Sequence, residues 1–441
     1  MIDSQPRFDA TVVIPTHNRQ ASLLRALEAL CTQTAPAESF EVIVVADGCD
    51  DGTHSAVVGQ TTPYRLRLIE LDGRGAATAR NHGADAADGD LLIFFDDDVE
   101  PSRQLISEHL RAHRQGSRSL VIGCCPPVIR GASLIDVELR RWWHDHILSM
   151  RRTDHRYTYR DMHAGNFSIR RDLYRETGGF DEAFPGCGGE DYEFGVRLLA
   201  RNVEFSFSNT ALGLHHEKSD LDRSLRRAFQ EGRADVLIGQ RHPELRRDLP
   251  LAASREANRA LRRAQARAFR PRLSPSGRVA RLRISLLEHL HFRRKALWRY
   301  ILLRRYWYFR GVAHELGSAY ELDRFVAASP PEQPLEGALL NVDLAAGLQN
   351  AIQFIDEQSP LGVRLRFGTI EIGVLQPAAG AEPVRGRQIT RCLESSAALI
   401  SALAVAGAVD PEAGLLSWLG REPSEQASSD VESSLLEEQA V

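Results

Sequence analysis

Five apolar residues in succession, Leu91-Leu92-Ile93-Phe94-Phe95, run directly into three carboxylates, Asp96-Asp97-Asp98. A continuous apolar run this short reads as a strand buried on both faces, as in a mostly parallel sheet. In open sheets of that kind, ligands bind beyond the carboxyl ends of the strands. Three acids packed on one turn repel one another unless a cation lies among them. Oxygen donors so arranged suit a hard divalent ion, Mg2+ or Mn2+. A solvated acidic turn is the plainer reading, but a second pair of carboxylates downstream, Glu190-Asp191, weighs against it.

Around that strand the chain alternates between two hydrophobic periods. Ala10 to Ile14 is a β-branched run closed by Pro15, and Val42 to Val45 and Leu66 to Leu71 repeat the strand pattern. Between them, Leu23, Leu24, Leu27 and Leu30 recur at helical spacing from about Gln20 to Thr34, and small residues from Ala76 to Ala87 suit a second helix. Pro101 and Ser102 are expected to open a third. Such alternation predicts a doubly wound, mostly parallel α/β sheet. Beyond Gly116 the expected elements are a strand at Leu120 to Cys124, a helix at Leu134 to Met150 and a short strand at Asn166 to Ile169. A helix led by Gly188-Gly189-Glu190-Asp191 follows, then strands at Val203 to Phe207 and Ala211 to Leu214, the last ending on His215-His216.

The net charge of -4 conceals a segregation that matters for the second half. From Arg223 to Arg310 there are 24 Lys and Arg against 6 Asp and Glu. This region, from about Leu221 to Gly317, reads as helical, with breaks at Pro250 and between Pro271 and Gly277. Pro330-Pro331-Glu332-Gln333-Pro334 reads as a linker. Val363 to Leu375 alternates like a hairpin, Gln388 to Ala406 reads as a helix, and the Ser/Glu-rich tail from Arg421 is expected to be disordered. The working division is therefore 1–220, 221–329, 330–420 and 421–441. The six cysteines, Cys31, Cys49, Cys124, Cys125, Cys187 and Cys392, form no C-x-x-C or zinc spacing and read as free thiols in a reducing compartment. The N-terminus lacks a signal-peptide pattern, and no apolar run is long enough to span a bilayer. A cytoplasmic protein is expected.

Seven motifs in order carry a resemblance. They are Val-Val-Ile-Pro-Thr-His-Asn-Arg (12–19), Val-Val-Ala-Asp-Gly-Cys-Asp-Asp-Gly-Thr (44–53), Ala-Arg-Asn-His-Gly (79–83), Phe-Asp-Asp-Asp (95–98), Gly-Asn-Phe-Ser-Ile-Arg-Arg (165–171), Gly-Gly-Phe-Asp (178–181) and Gly-Gly-Glu-Asp (188–191). From about Asp9 to Ser219 the chain resembles a family 2 glycosyltransferase of the GT-A fold. Two positions depart from the usual pattern, Ala46 where an acid is common and His17 where Tyr is common.

The resemblance implies an inverting transfer of sugar from a nucleotide-diphosphate donor to an acceptor hydroxyl. Transfer expels a dianionic diphosphate, whose charge a metal neutralises. Asp98 would hold the metal, Asp96 the ribose or a metal-bound water, and Asp97 would brace the turn. His215 or His216 would complete the metal shell, with His215 preferred. Asp191 would be the general base, and Glu190 would orient the acceptor beside Gly189 and Asn166. Pro15, Thr16, Asn18 and Arg19 would line the nucleotide pocket, Asp47 would accept from a uracil-type base, and Arg80 would meet the diphosphate. A UDP-sugar is the favoured donor. The acceptor is a glycan, a lipid-linked molecule or a small molecule.

Two other readings compete. A sugar-nucleotidyltransferase usually carries a Gly-rich loop after the first strand, where this chain has Pro-Thr-His-Asn-Arg. A catalytically idle scaffold acting through its C-terminal half would not need Asp98 and Asp191. In the basic helices, Leu286, Leu290, Trp298, Tyr300, Ile301 and Trp307 interleave with Arg and Lys, a pattern that suits an anionic membrane surface or simply packs inward. No base-reading motif accompanies the charge, so nucleic acid is not expected.

Overall fold

In a computed structural model, the chain is described over residues 8–389, except 115–117, 130, 185–187, 218–219, 253–257, 271–276, 332–338, 345–346 and 368–369. The linker at Pro330 to Pro334 falls largely outside the described residues. So do Cys187, Cys392, most of the expected helix after Gln388, and the acidic tail.

Seven strands form the main sheet. They are β1 (Phe8–Thr16), β2 (Phe40–Asp47), β3 (Arg65–Leu71), β4 (Gly89–Phe95), β6 (Ser119–Gly123), β7 (Asn166–Arg170) and β8 (Glu204–Ser208), in the order β3-β2-β1-β4-β7-β6-β8. β1 pairs in parallel with β2 and β4, β2 with β3, and β6 with β8, while β7 runs antiparallel to both β4 and β6. The expected parallel sheet is therefore present with one strand reversed.

β4 lies near the middle and is buried on both faces. Leu92 and Phe94 join one apolar cluster with Val13, Phe167 and Ile169, whereas Leu91, Ile93 and Phe95 join another with Val12, Ile14, Leu23 and Leu27. Successive side chains of a strand point to opposite faces, so an unbroken apolar run is what this position requires. The helices α1 (Gln20–Leu30), α2 (Thr53–Val58), α3 (Ala76–Asp85), α4 (Leu105–Ala112), α5 (Leu134–Arg151), α6 (Arg171–Glu176) and α7 (Glu190–Ala200) connect the strands.

One expectation is corrected after the Asp triplet. Pro101 does not open a helix: Val99–Pro101 is a short strand, β5, and α4 begins at Leu105. β5 pairs antiparallel with β9 (Gly213–His215), Val99 facing His215. This two-stranded ribbon brings a distant His beside the carboxylates.

The basic region forms α8 (Leu221–Arg241), α9 (Arg259–Ala268), α10 (Gly277–His289), α11 (Arg293–Leu316) and α12 (Ala319–Ala327). α8 and α11 cross with their backbones close together. A Cβ on Gly232 would lie 2.0 Å from the carbonyl oxygen of Tyr308, and one on Gly311 would lie 2.0 Å from that of Phe229. Tyr308 donates to the buried Asp235 across the same crossing. Much of the basic charge is paired here: Arg304 meets Glu231 at 2.7 Å, and Arg233 meets Glu315 at 2.6 Å.

The chain divides into two compact units, one of residues 1–332 with 379–382 and the other of 333–378 with 383–441. The first takes in the main sheet and the basic helices. In the second, β10 (Leu339–Asp343), α13 (Leu348–Gln358), β11 (Gly362–Phe367) and β12 (Ile370–Leu375) build a three-stranded sheet, with β10 and β11 parallel and β11 and β12 antiparallel. The β11–β12 hairpin matches the alternation seen in the sequence. Val342, Ala351, Ile355, Val363 and Leu365 form the core of this unit.

Candidate active site

The Asp triplet is held by the strand end next to it. Thr16 donates to Asp97 Oδ2 at 2.7 Å, and Arg19 Nη1 donates to Asp97 Oδ1 at 2.9 Å. Asp97 is buried, and this burial pushes its carboxyl up to about 6 against the pull of Arg19 and Thr16. It braces β4 to the end of β1. The same Arg19 nitrogen donates to Asp98 Oδ2 at 2.6 Å. His215 Nε2 lies 3.3 Å from the other oxygen of Asp98. Burial alone would raise Asp98, but the hydrogen bond and charge of His215, with Arg19, hold it below the ordinary carboxylate value. His216 turns away to Glu100, at 2.7 Å. Of the two histidines, His215 therefore faces the acids.

Asp96 points elsewhere. Its Oδ1 accepts from Arg80 Nη2 at 2.7 Å, and Arg80 Nη1 donates to Glu190 at 3.1 Å. Arg80 is buried and so ties the acidic turn to the start of α7. The sequence suggested a contact to diphosphate for this residue, and the structure gives it a bridge between two carboxylates.

α7 begins in a loop that only glycine accommodates well. Gly189 has φ +92°, and a Cβ there would lie 2.4 Å from Ala234 on α8, whereas Gly188, at φ +124°, meets open space. Glu190 is buried and accepts from the amide of Gly188 at 2.8 Å as well as from Arg80. Asp191 is the less constrained acid. Its Oδ1 accepts from the amide of Tyr192 at 2.9 Å, and among the described residues it has no ion-pair partner. Burial, reinforced by the negative charge of Glu190 and opposed by Arg80, raises its carboxyl well above the ordinary range.

On the β1–β2 side, both oxygens of Asp47 accept backbone amides, from Arg74 at 2.7 Å and Gly75 at 2.6 Å. Asp47 thus closes the loop before α3. Asn18, at φ 53°, accepts from the amide of Asp50 at 2.8 Å, so it joins the ends of β1 and β2. Pro15 is buried in β1. Asn166, expected near the acceptor, is buried in the core instead. Its amide meets His109 Nε2 at 2.9 Å and the carbonyls of Cys124 and Ala211 at 3.2 and 2.9 Å.

Trp142, Trp143, His146, His163 and Tyr192 were not singled out by any motif, yet their rings form one connected set, with Trp143 next to His215 and Tyr192 following Asp191 in the chain. They sit on α5, in the loop before β7 and on α7. The only signal for them in the sequence is the Trp pair itself.

Asp98 and His215 offer a carboxylate oxygen and an imidazole nitrogen about one hydrogen bond apart. Among the described residues, no group of three His, Cys, Asp or Glu is arranged to hold an ion. Mg2+ and its relatives need only one or two protein carboxylates when substrate phosphates supply the rest. The donors present fit an ion that shares its shell with a diphosphate.

The family described as Glycosyl transferase family 2 matches residues 11–178, and that described as the N-terminal domain of galactosyltransferase matches residues 146–218. The validoxylamine A glucosyltransferase of Streptomyces hygroscopicus subsp. limoneus is 33% identical over 237 residues, which is 47% of this chain and 52% of that protein. The pre-mycofactocin glycosyltransferase of Mycobacterium tuberculosis is 29% identical over 250 residues, 54% of this chain and 48% of that protein. The chain thus spans about half the length of these relatives. Among solved structures, a mannosyltransferase from Pyrobaculum calidifontis in complex with GDP-Man and Mn2+ aligns with TM-score 0.45 and 18% identity, over 69% of this chain and 88% of that one. Over residues 11–178, which hold β1 to β7 of the main sheet, the chain is thus similar to glycosyltransferase family 2.

Proposed function

We propose that the chain transfers a hexosyl group from a nucleotide-diphosphate donor to an acceptor hydroxyl, with inversion. The observation that carries this reading is the contrast between the two acids at the head of α7. Glu190 is locked to Arg80, while Asp191 has no ion-pair partner among the described residues and has a raised proton affinity. A carboxylate in that condition suits a general base. One such group without a second nucleophile suits single displacement. Asp98 and His215 would hold a divalent ion, which when bound neutralises charge on the departing diphosphate. Arg80 keeps Asp96 and Glu190 in register, and Asp191 takes the proton of the attacking hydroxyl at its carboxylate.

The donor would lie over the ends of β1, β2 and β4, where Arg19 and Asn18 are exposed to it, with a UDP-sugar favoured. The relative's role as a glucosyltransferase supports a hexosyl donor. We assign residues 1–220 to the transferase domain and 221–329 to a helical extension of it; residues 330–420 form a separate module. The exposed apolar side chains of α10 and α11, beside Arg283, Arg293, Arg294, Lys295 and Arg299, support docking on an anionic membrane.

Asp191→Asn tests the base. Donor affinity should stay near normal while transfer falls by a factor of about 100 to 10,000. Retention of most of the transfer rate would rule out Asp191 in this role.

A further inference from the structure

Asp191 and His215 mark two sides of the space an acceptor must occupy, and a set of aromatic rings connects them. Trp143 on α5 lies 6.0 Å, centroid to centroid, from His215. Trp142 meets Trp143 edge to face at 5.0 Å and stacks on His146 at 5.1 Å, with planes 10° apart. His146 and His163 share a hydrogen bond of 2.9 Å between their Nε2 atoms. His163 in turn lies 6.1 Å from Tyr192, the residue after Asp191. Trp142 is 43% exposed, unusual for an indole that has a flat partner on one side.

We infer that this wall, with Trp142 at its open edge, is the acceptor subsite, and that it takes a neutral polyhydroxylated ring. The inference rests on the transferase reading above and adds the chemical class of its second substrate. Topology places the wall on the right side of the sheet for this. α5 follows β6, and His163 precedes β7, so the rings belong to the β7–β6 half. The donor pocket belongs to the β1–β2 half, across Asp98. An acceptor hydroxyl within reach of Asp191 therefore puts the rest of its ring against the aromatic wall.

The chemistry of the wall selects for that ring. Its rings are broad apolar surfaces with polar tips, which match a sugar or cyclitol: a C–H face to lie against an indole and hydroxyls to meet ring nitrogens. Burial drives His163 down to about 3, with His146 and Arg227 adding to the effect and Asp161 opposing it. Burial also lowers His146. Burial thus disfavours charge on both imidazoles of the wall, and the nearby Arg227 is already paired with Glu217 at 3.2 Å and Glu231 at 3.7 Å.

The test uses the full chain with UDP and Mn2+ present, read by saturation-transfer NMR on methyl β-glucoside, myo-inositol and glucose 6-phosphate. Binding of UDP is measured separately by calorimetry. Ring protons of the two neutral probes should receive saturation in the wild type, more strongly than those of the phosphate. The signal should fall about fivefold in Trp142→Ala, the size of one ring contact, and persist in Trp142→Phe. UDP affinity should be the same in all three proteins. Equal signals in wild type and Trp142→Ala, a stronger response from glucose 6-phosphate, or no response from either neutral probe while UDP binds would each overturn the subsite. Failure of UDP to bind the wild type would instead remove the transferase reading, and the subsite with it.

Discussion

Arg19 occupies the place of a cation. Its guanidinium reaches both Asp97 and Asp98, so the protein partly neutralises its own acidic turn. A metal on Asp98 would compete with this guanidinium for the carboxylate's charge, and on the proposed reading Arg19 would then face the diphosphate. Arg19→Gln should therefore bind Mn2+ more tightly when no nucleotide is present, by about tenfold, the equivalent of one hydrogen bond to a charged group. UDP should bind the variant more weakly. The electron-resonance signal of free Mn2+ during titration reads the first effect, and an unchanged Mn2+ affinity would discard the placeholder role. Asp191 adds a pH dependence. A base must be unprotonated, and a raised proton affinity means that protonation overtakes it at a higher pH than for an exposed carboxylate. Transfer should accordingly fall on the acid side well above the ordinary Asp range, while UDP binding stays level. An acid limb in the ordinary Asp range would count against the assignment. At this scale the residue types were legible in the sequence and their partners were not. Asp47, Arg80 and Asn166 have suitable chemistry for a ligand, yet each is engaged with the protein itself.

Among the elements, the α8–α11 crossing holds the basic helices to one another. Two glycines let the backbones meet, and the neighbour each would strike is a main-chain carbonyl that cannot rotate away. Gly311→Ala should cost about 1–3 kcal/mol through overpacking, despite the better helix propensity of Ala. Urea unfolding at constant slope would read this as a lower midpoint; a midpoint at or above that of the wild type would mean that the helices move apart without penalty. The same crossing explains how the basic segment divides. Tyr300, Leu303, Tyr306, Tyr308 and Phe309 of α11 are buried, whereas Trp298 and Ile301 remain exposed. The sequence read the stretch from about Leu221 to Gly317 as helical but could not say which apolar residues would find a partner, since that depends on where α8 and α9 lie.

For the whole molecule, the exposed side of α10 and the start of α11 presents Leu282, Leu286, Leu290, Phe292, Trp298 and Ile301 next to exposed cations such as Arg293 and Arg299. No helix among the described residues is long and apolar enough to cross a membrane. The proposed docking on an anionic membrane should depend on charge. The chain should co-sediment with vesicles containing anionic lipid at low salt and be released by high salt. Absence of binding to anionic vesicles at low salt would remove the membrane from the account. The sequence by itself determined the buried central strand, the acidic turn at its end and the alternation that makes an α/β sheet, because these follow from local periodicity and from the few residue types that each position tolerates. It also placed an acidic pair after two glycines at the head of a helix. Only the tertiary structure decided that β7 runs backwards, that β5 pairs with β9 to set His215 against Asp98, that Arg80 joins Asp96 to Glu190, and that Trp143 lies beside His215. Each of these is a contact between residues far apart in the chain. Such contacts arise from how buried faces and unpaired backbone edges find one another, which no local pattern records.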